Sequence, residues 1–176
     1  MKTSKYLLNQ IPQLKGRIIA IDVDDYILDA IDANDSINEC IQLTSLGNGD
    51  GKWHFSLFSK RISSRKMKKK FKKKKIDSII LNNCSLKQML NTFIRDSIYM
   101  TKTSVYIYGS DEVIPSDLLI ARYKRYDTKI EYIKENGYII KIDTTKAKNN
   151  WFKDLGYYLV DNFAEFTDAI AQYLVN

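Results

Sequence analysis

The sequence has few of the residues that build metal centres and disulfide scaffolds. Its 176 residues include two cysteines, one histidine and two prolines. A structural zinc site needs about four Cys or His ligands, which argues against one here. Two cysteines are too few for a disulfide framework, so we expect Cys40 and Cys84 to be reduced.

The sequence also lacks long apolar runs. None approaches the roughly 18 residues of a membrane span. Residues 1–15 contain neither the apolar stretch nor the cleavage site of a signal peptide. We therefore expect a cytoplasmic protein without membrane attachment. The 44% hydrophobic content supports a globular core, and we predict a single α/β domain over residues 1–176, with 1–15 as an N-terminal helical segment.

The formal net charge of +7 is concentrated in one segment. Eleven of the 28 Lys and Arg residues lie in residues 60–75, which contain no acid, whereas the rest of the chain carries 17 bases against 21 acids. Such a segment favours contact with the phosphates of a nucleic acid or with another polyanion, although a solvated lysine-rich helix is the alternative. The predicted nucleic-acid-binding residues are Arg65, Lys66, Lys68, Lys69, Lys70, Lys72, Lys73 and Lys74.

Short apolar runs alternate with amphipathic segments along the chain. Runs such as Ile18–Val23 and Ile76–Leu81 are typical of buried parallel strands. Apolar residues at helical spacing predict helices over Tyr26–Leu43 and over Pro115–Ile133, the latter ending at Asn136-Gly137. This alternation predicts a three-layer fold, Rossmann-like or flavodoxin-like, with a mostly parallel sheet of about five to six strands.

Polar residues follow several of the predicted strands. Asp22, Asp24 and Asp25 come directly after the first, and Asn82-Asn83 after another. Open α/β sheets bind ligands at the carboxyl ends of their strands. A single acid there is often only a helix cap, but three like charges in four positions indicate a site that binds a cation or a hydrogen-bond donor.

The segment Gly16–Asp22 and the amphipathic stretch after it resemble the second strand and following helix of class I S-adenosylmethionine-dependent methyltransferases. Lys75–Asn83 is similar to the fourth strand of that family. The resemblance implies S-adenosylmethionine as cofactor. It implies the catalytic candidates Asp22, Asp24, Asn82 and Asn83 and the cofactor-binding candidates Asp22, Val23, Asp24 and Ser110.

The family's glycine-rich loop would lie before Gly16, but residues 1–15 contain no glycine. Such a loop lets the backbone approach the cofactor closely. Two functional hypotheses therefore stand together. One is a methyltransferase-like domain, active or degenerate, that acts on or binds a nucleic acid or other polyanion. The other is a non-catalytic α/β module that binds a protein or polyanion partner.

Two other families share parts of the pattern. Ile19–Asp25 is similar to the first motif of haloacid dehalogenase-like phosphatases, which implies Asp22 as nucleophile, Asp24 as general acid and Mg²⁺ beside them. Receiver-like domains of the flavodoxin fold also carry acids after the first strand. In those domains the phosphoacceptor aspartate ends the third strand, where this chain has Asn82-Asn83.

Overall fold

The computed structural model describes residues 2–43, 75–86, 90–134, 136–148, 152–153, 155–157, 159–160 and 163. The predicted nucleic-acid-binding residues, all between 65 and 74, lie outside these ranges. None of the helices in the described ranges has the length and apolarity needed to cross a membrane.

Six strands and four α-helices precede the C-terminal segment in the described ranges. The strands are β1 Gly16–Ile21, β2 Ile37–Leu43, β3 Ile76–Asn82, β4 Thr101–Gly109, β5 Lys129–Lys134 and β6 Tyr138–Asp143. The helices are α1 Lys2–Gln10, α2 Asp25–Asp32, α3 Leu90–Met100 and α4 Ser116–Lys124. The described residues between 152 and 163 are helical as well.

The strands form one sheet in the order β2-β1-β3-β4-β6-β5. The β2-β1, β1-β3 and β3-β4 pairs are parallel, whereas β6 runs antiparallel to both β4 and β5. The mostly parallel sheet of the predicted Rossmann-like class is thus confirmed.

Helices cover both faces of the sheet. Alternate residues of β1 enter two apolar clusters: Ile19 and Ile21 join the cluster with α3 and α4, whereas Ile18 and Ala20 join the cluster with α1 and α2. All four residues are at most 1% exposed. This double burial explains why the strand has no polar alternation, and it produces the three layers predicted from the sequence.

The helix predicted over Tyr26–Leu43 was too long. Helix α2 ends at Asp32, and residues 37–43 form strand β2 instead. Asn34 makes the break, because its Nδ2 donates to the carbonyls of Ile11 and Leu14, and its Oδ1 accepts from the Ser36 N–H. The amide side chain therefore stabilises a turn, as asparagine often does.

The helix predicted over Pro115–Ile133 was also too long. Helix α4 ends at Lys124, and Lys129–Lys134 forms β5. The Thr128 hydroxyl donates to the Tyr123 carbonyl at 2.7 Å and holds the chain as it leaves the helix. Asn136 and Gly137, with φ of 48° and 117°, turn the chain from β5 into β6 rather than ending a helix.

Candidate functional site

The direction in which successive strands are added to the sheet reverses between β1 and β3, although the two strands are parallel. From β1 the chain passes through α2 to β2 on one side, whereas β3 is followed by β4 on the other side. In open α/β sheets the crevice at such a reversal, outside the carboxyl ends of the strands, is where ligands bind. The segments that follow β1, β3 and β4 meet at this point.

A cleft of about 360 Å³ opens there. Its volume is within the range of roughly 300–1,000 Å³ that is common for small-molecule sites. The described residues that line it are Asp24, Tyr26, Asn82, Asn83, Cys84, Tyr108, Gly109, Ser110, Val113 and Asn136. Among them Asp24 is the one carboxylate, and no lysine, arginine or histidine is included.

The cleft brings together four of the residues singled out from the sequence: Asp24, Asn82, Asn83 and Ser110. Asp22 and Val23 are not among the described lining residues. Asp22 has a left-handed backbone (φ 48°), its N–H donates to the Leu43 carbonyl at 3.0 Å, and one of its carboxylate oxygens is buried. The catalytic and cofactor-binding roles of all these residues stay predictions.

Two tyrosines hold the carboxylate of Asp24. The Tyr108 hydroxyl donates to Asp24 Oδ2 at 3.1 Å and accepts the backbone N–H of Asp24, also at 3.1 Å. The Tyr26 hydroxyl donates to the same Oδ2 at 3.3 Å. Both phenols thus donate to Oδ2, and Asp24 is exposed. Two hydrogen bonds therefore fix the carboxylate through Oδ2, while Asp24 lines the cleft and is accessible from it.

Tyr108 was not identified from the sequence. It stands near the end of β4, is only 9% exposed and reaches Asp24 from the face covered by α1 and α2. Burial is the largest cause that raises the pKa of its phenol, so the hydroxyl stays protonated and can donate at neutral pH. The available signal was a phenol two residues before Ser110 in an otherwise apolar run.

Asn83 forms the buried floor of the cleft and is 1% exposed. Its Nδ2 donates to the Ser110 carbonyl at 2.8 Å and to the Tyr138 hydroxyl at 2.7 Å, and its Oδ1 accepts the Ser110 N–H at 3.4 Å. Tyr138 in turn donates to the Ile114 carbonyl at 2.9 Å, and burial raises the pKa of its phenol to about 12. These bonds tie the ends of β3 and β4 together.

Gly109 allows this contact. A Cβ atom at position 109 would overlap the side-chain amide of Asn83. Any other residue would therefore displace Asn83 or push β4 away from it. Close approach of backbone and side chain is the reason for glycine at this position.

Asn82 and Ser110 stabilise turns at the rim. Asn82 Oδ1 accepts the Cys84 N–H at 3.3 Å, and Ser110 Oγ accepts the Glu112 N–H at 3.2 Å. Both side chains thus contribute to local backbone structure. Asn82 is half-buried and adds amide hydrogen-bonding capacity to the cleft.

The described residues do not form a cluster of side chains that could bind a metal ion. No three His, Cys, Asp or Glu side chains of those residues come together as metal ligands. The aspartates after β1 are consecutive or nearly so, yet only Asp24 lines the cleft. The magnesium-dependent phosphatase alternative therefore has no geometric basis in these ranges.

Comparison with known proteins identifies similar folds. No protein-family model and no curated protein matches the sequence. An O-methyltransferase family protein from Burkholderia thailandensis superposes with a TM-score of 0.52 at 10% identity, over 83% of this chain and 57% of its own length. The release factor-specific protein-(glutamine-N5) methyltransferase from Alicyclobacillus acidocaldarius gives 0.49 at 10% identity, over 81% and 92%. TrmK of M. capricolum, solved with S-adenosylhomocysteine, gives 0.46 at 15% identity, over 94% and 86%.

The first of these similarities establishes a methyltransferase-like Rossmann fold for the chain. The resemblance noted in the sequence is confirmed at the level of the fold. The chain spans little more than half the length of the Burkholderia protein.

Proposed function

We propose that the cleft between β1 and β3 binds S-adenosylmethionine, as part of a methyltransferase-like domain. The observation that carries the proposal is the position of Asp24: a fixed, accessible carboxylate at the reversal point of the sheet. S-adenosylmethionine offers this carboxylate a cationic sulfonium, an ammonium group and two ribose hydroxyls. The methyltransferase-like fold is the second support.

The residues present fit the nucleoside part of such a ligand. The Asp24 carboxylate can accept hydrogen bonds from hydroxyl groups, and bonds to a charged acceptor are the stronger kind. Asn82 and Asn136 add neutral amides at the rim, and Val113 adds an apolar wall. When bound, the cofactor would supply an electrophilic methyl group, and the chain's own residues would orient it and restrict water.

Isothermal titration with S-adenosylhomocysteine tests this proposal. Asp24→Asn removes the charge at nearly constant shape and should weaken binding by about tenfold or more, since hydrogen bonds to charged groups contribute roughly 1.5–3 kcal/mol. Asp29→Asn is the matched control, because Asp29 is an exposed acid in the helix that follows Asp24 and does not line the cleft. Absence of heat with the wild-type protein at millimolar ligand would overturn the proposal.

We further propose that the domain acts on or binds a nucleic acid or other polyanion through residues 60–75. The support is the charge of this segment, eleven bases without an acid. Its last residue, Lys75, is exposed and precedes β3, at the edge of the sheet opposite the cleft. The seven-residue strand β3 separates Lys75 from the cleft by roughly 20 Å, so a polyanion bound near Lys75 must cover that distance to reach the cleft.

Binding of a DNA or RNA duplex at several salt concentrations tests this second step. Each phosphate contact contributes about 0.9 to the slope of log affinity against log salt. Replacing Lys69, Lys70, Lys72 and Lys73 by glutamine should lower the slope by up to about 3 to 4. Four exposed lysines elsewhere are the charge-matched control: Lys5, Lys15, Lys124 and Lys148. Affinity that is indifferent to salt would refute nucleic-acid binding.

The alternative is a non-catalytic module that binds a protein or a polyanion. It is favoured by residues 1–15, which contain no glycine ahead of Gly16, and by Asn83, whose amide is committed to Ser110 and Tyr138. Polyanion binding without any S-adenosylmethionine binding would select this alternative.

A further inference from the structure

The phenol of Tyr108 bridges the cleft end of the sheet. Strand β3 lies between β1 and β4, so the residues at the ends of β1 and β4 are about 10 Å apart across it. Tyr108 at the end of β4 spans this distance and contacts Asp24 twice, at the carboxylate and at the backbone N–H. A side chain thus occupies the segment that links β1 to α2.

This segment is where doubly wound folds accept phosphate groups, on free N–H groups at the start of a helix. In this protein the segment between β1 and α2 differs from such a phosphate-binding loop in two respects. The Asp24 N–H is already donated to Tyr108. Carboxylates also occupy the start of α2, because Asp24 precedes the helix and Asp25 begins it, and both are exposed. A phosphate would meet negative charge and one donor fewer.

We propose that the Tyr108–Asp24 pair makes the cleft selective for nucleosides that carry no phosphate, such as the adenosine part of S-adenosylmethionine, and excludes nucleotides. This inference rests on the proposed function of the cleft. Asp24 supplies the repulsion, and Tyr108 is a positioning residue that holds the carboxylate and occupies the N–H. For a nucleotide phosphate placed roughly 7 Å from the Asp24 carboxylate, the repulsion of the two negative charges should reduce the affinity by about 3- to 50-fold.

The test compares adenosine with adenosine 5′-monophosphate, which differ only in the phosphate, and includes S-adenosylhomocysteine. In titrations of the wild-type protein we expect the monophosphate to bind at least about tenfold more weakly than adenosine. Asp24→Asn should reduce the ratio of the two affinities, while Asp25 keeps its charge at the start of α2. Tyr108→Phe should also reduce it, because the Asp24 N–H is released; Tyr106→Phe, on the same strand and face, should leave it unchanged.

Hydrogen exchange supplies a readout that needs no ligand. In Tyr108→Phe the amide of Asp24 loses its acceptor and should exchange faster, whereas Tyr106→Phe should not alter it. If Tyr108→Phe fails to fold, the exposed Asp24→Asn variant still decides the question.

The results separate the inference from the function on which it rests. Equal binding of adenosine and its monophosphate, or a ratio that Asp24→Asn leaves unchanged, overturns the inference while the cofactor proposal stands. Absence of binding for adenosine and S-adenosylhomocysteine alike overturns both. The inference is supported if the ratio of adenosine affinity to monophosphate affinity decreases in Asp24→Asn and in Tyr108→Phe but stays at the wild-type value in Tyr106→Phe.

Discussion

Replacing Gly109 by alanine tests the contact on which the cleft floor depends. The added Cβ would overlap the Asn83 amide, so that amide must move. Asn83 is 1% exposed and makes bonds of 2.7 and 2.8 Å through Nδ2 and a longer one through Oδ1. A buried polar group left without its partner costs about 1–3 kcal/mol. Disruption of the two short bonds should therefore destabilise the protein by about 2–5 kcal/mol.

Urea unfolding followed by circular dichroism measures this cost. A loss of 2–5 kcal/mol is a large share of the roughly 5–15 kcal/mol stability of a typical domain. With an m-value of about 2 kcal/mol/M, in the middle of the usual range, the midpoint should fall by about 1–2.5 M. Gly156→Ala is the control, because Gly156 is helical and has nothing within 4 Å of an added Cβ. That change should be neutral or stabilise the helix by up to about 1 kcal/mol.

A double-mutant cycle identifies the cause. Asn83→Ala removes the group that Gly109→Ala would strike, so the double variant should be about as stable as Asn83→Ala alone. The two changes should therefore be non-additive by at least about 1 kcal/mol. Additivity within about 0.5 kcal/mol, or a Gly109→Ala variant as stable as the wild-type protein, would show that the overlap does not control this region.

Two further predictions concern titratable groups. The Lys134 ammonium at 2.9 Å and the Ser116 N–H lower the pKa of Asp111 from 3.8 to about 2. Since this pKa is depressed in the folded state, the contribution to stability is present above about pH 4 and is lost as the pH falls towards 2. Asp111→Asn should flatten the decrease in melting temperature over that interval, and an unchanged decrease would contradict the assignment. Burial raises the pKa of the Cys40 thiol to about 11, so iodoacetamide at pH 7.5 should label exposed Cys84 before Cys40, as measured by peptide mass spectrometry.

The fold class was predictable because burial on both faces leaves a direct trace in the sequence. The β1 residues Ile18–Ile21 and the β3 residues Ile79–Leu81 are unbroken apolar runs that are at most 1% exposed. The sequences of edge strands show a weaker apolar pattern. Strands β2 and β5 bury few residues, and the spacing of their isoleucines also satisfies a helical period, so both were assigned to helices. The Asn34–Ser36 turn before β2 and the Asn136-Gly137 hairpin signal after β5 were the features that distinguish a strand from a helix at these positions.

The location of the cleft was predictable for a related reason. Parallel strands deliver their carboxyl ends to one edge of the sheet, so polar residues after β1, β3 and β4 had to meet wherever those strands are neighbours. The identity of the groups that face the cleft depends instead on side-chain partners from distant segments. Tyr108 is 84 residues from Asp24, and Tyr138 is 55 from Asn83. No local pattern reports such pairs.

The separation of Asp22 from Asp24 shows how the backbone decides between neighbouring candidates. Both carboxylates were expected at one site, because both follow the first strand and the family resemblance implied both. The positive φ of Asp22 ends the extended conformation just after β1, one of its carboxylate oxygens is buried, and Asp22 is not among the described residues that line the cleft. Asp24, beyond the turn, is the carboxylate that the cleft presents. Substitution at Asp24 should therefore affect ligand affinity, whereas substitution at Asp22 should first affect stability.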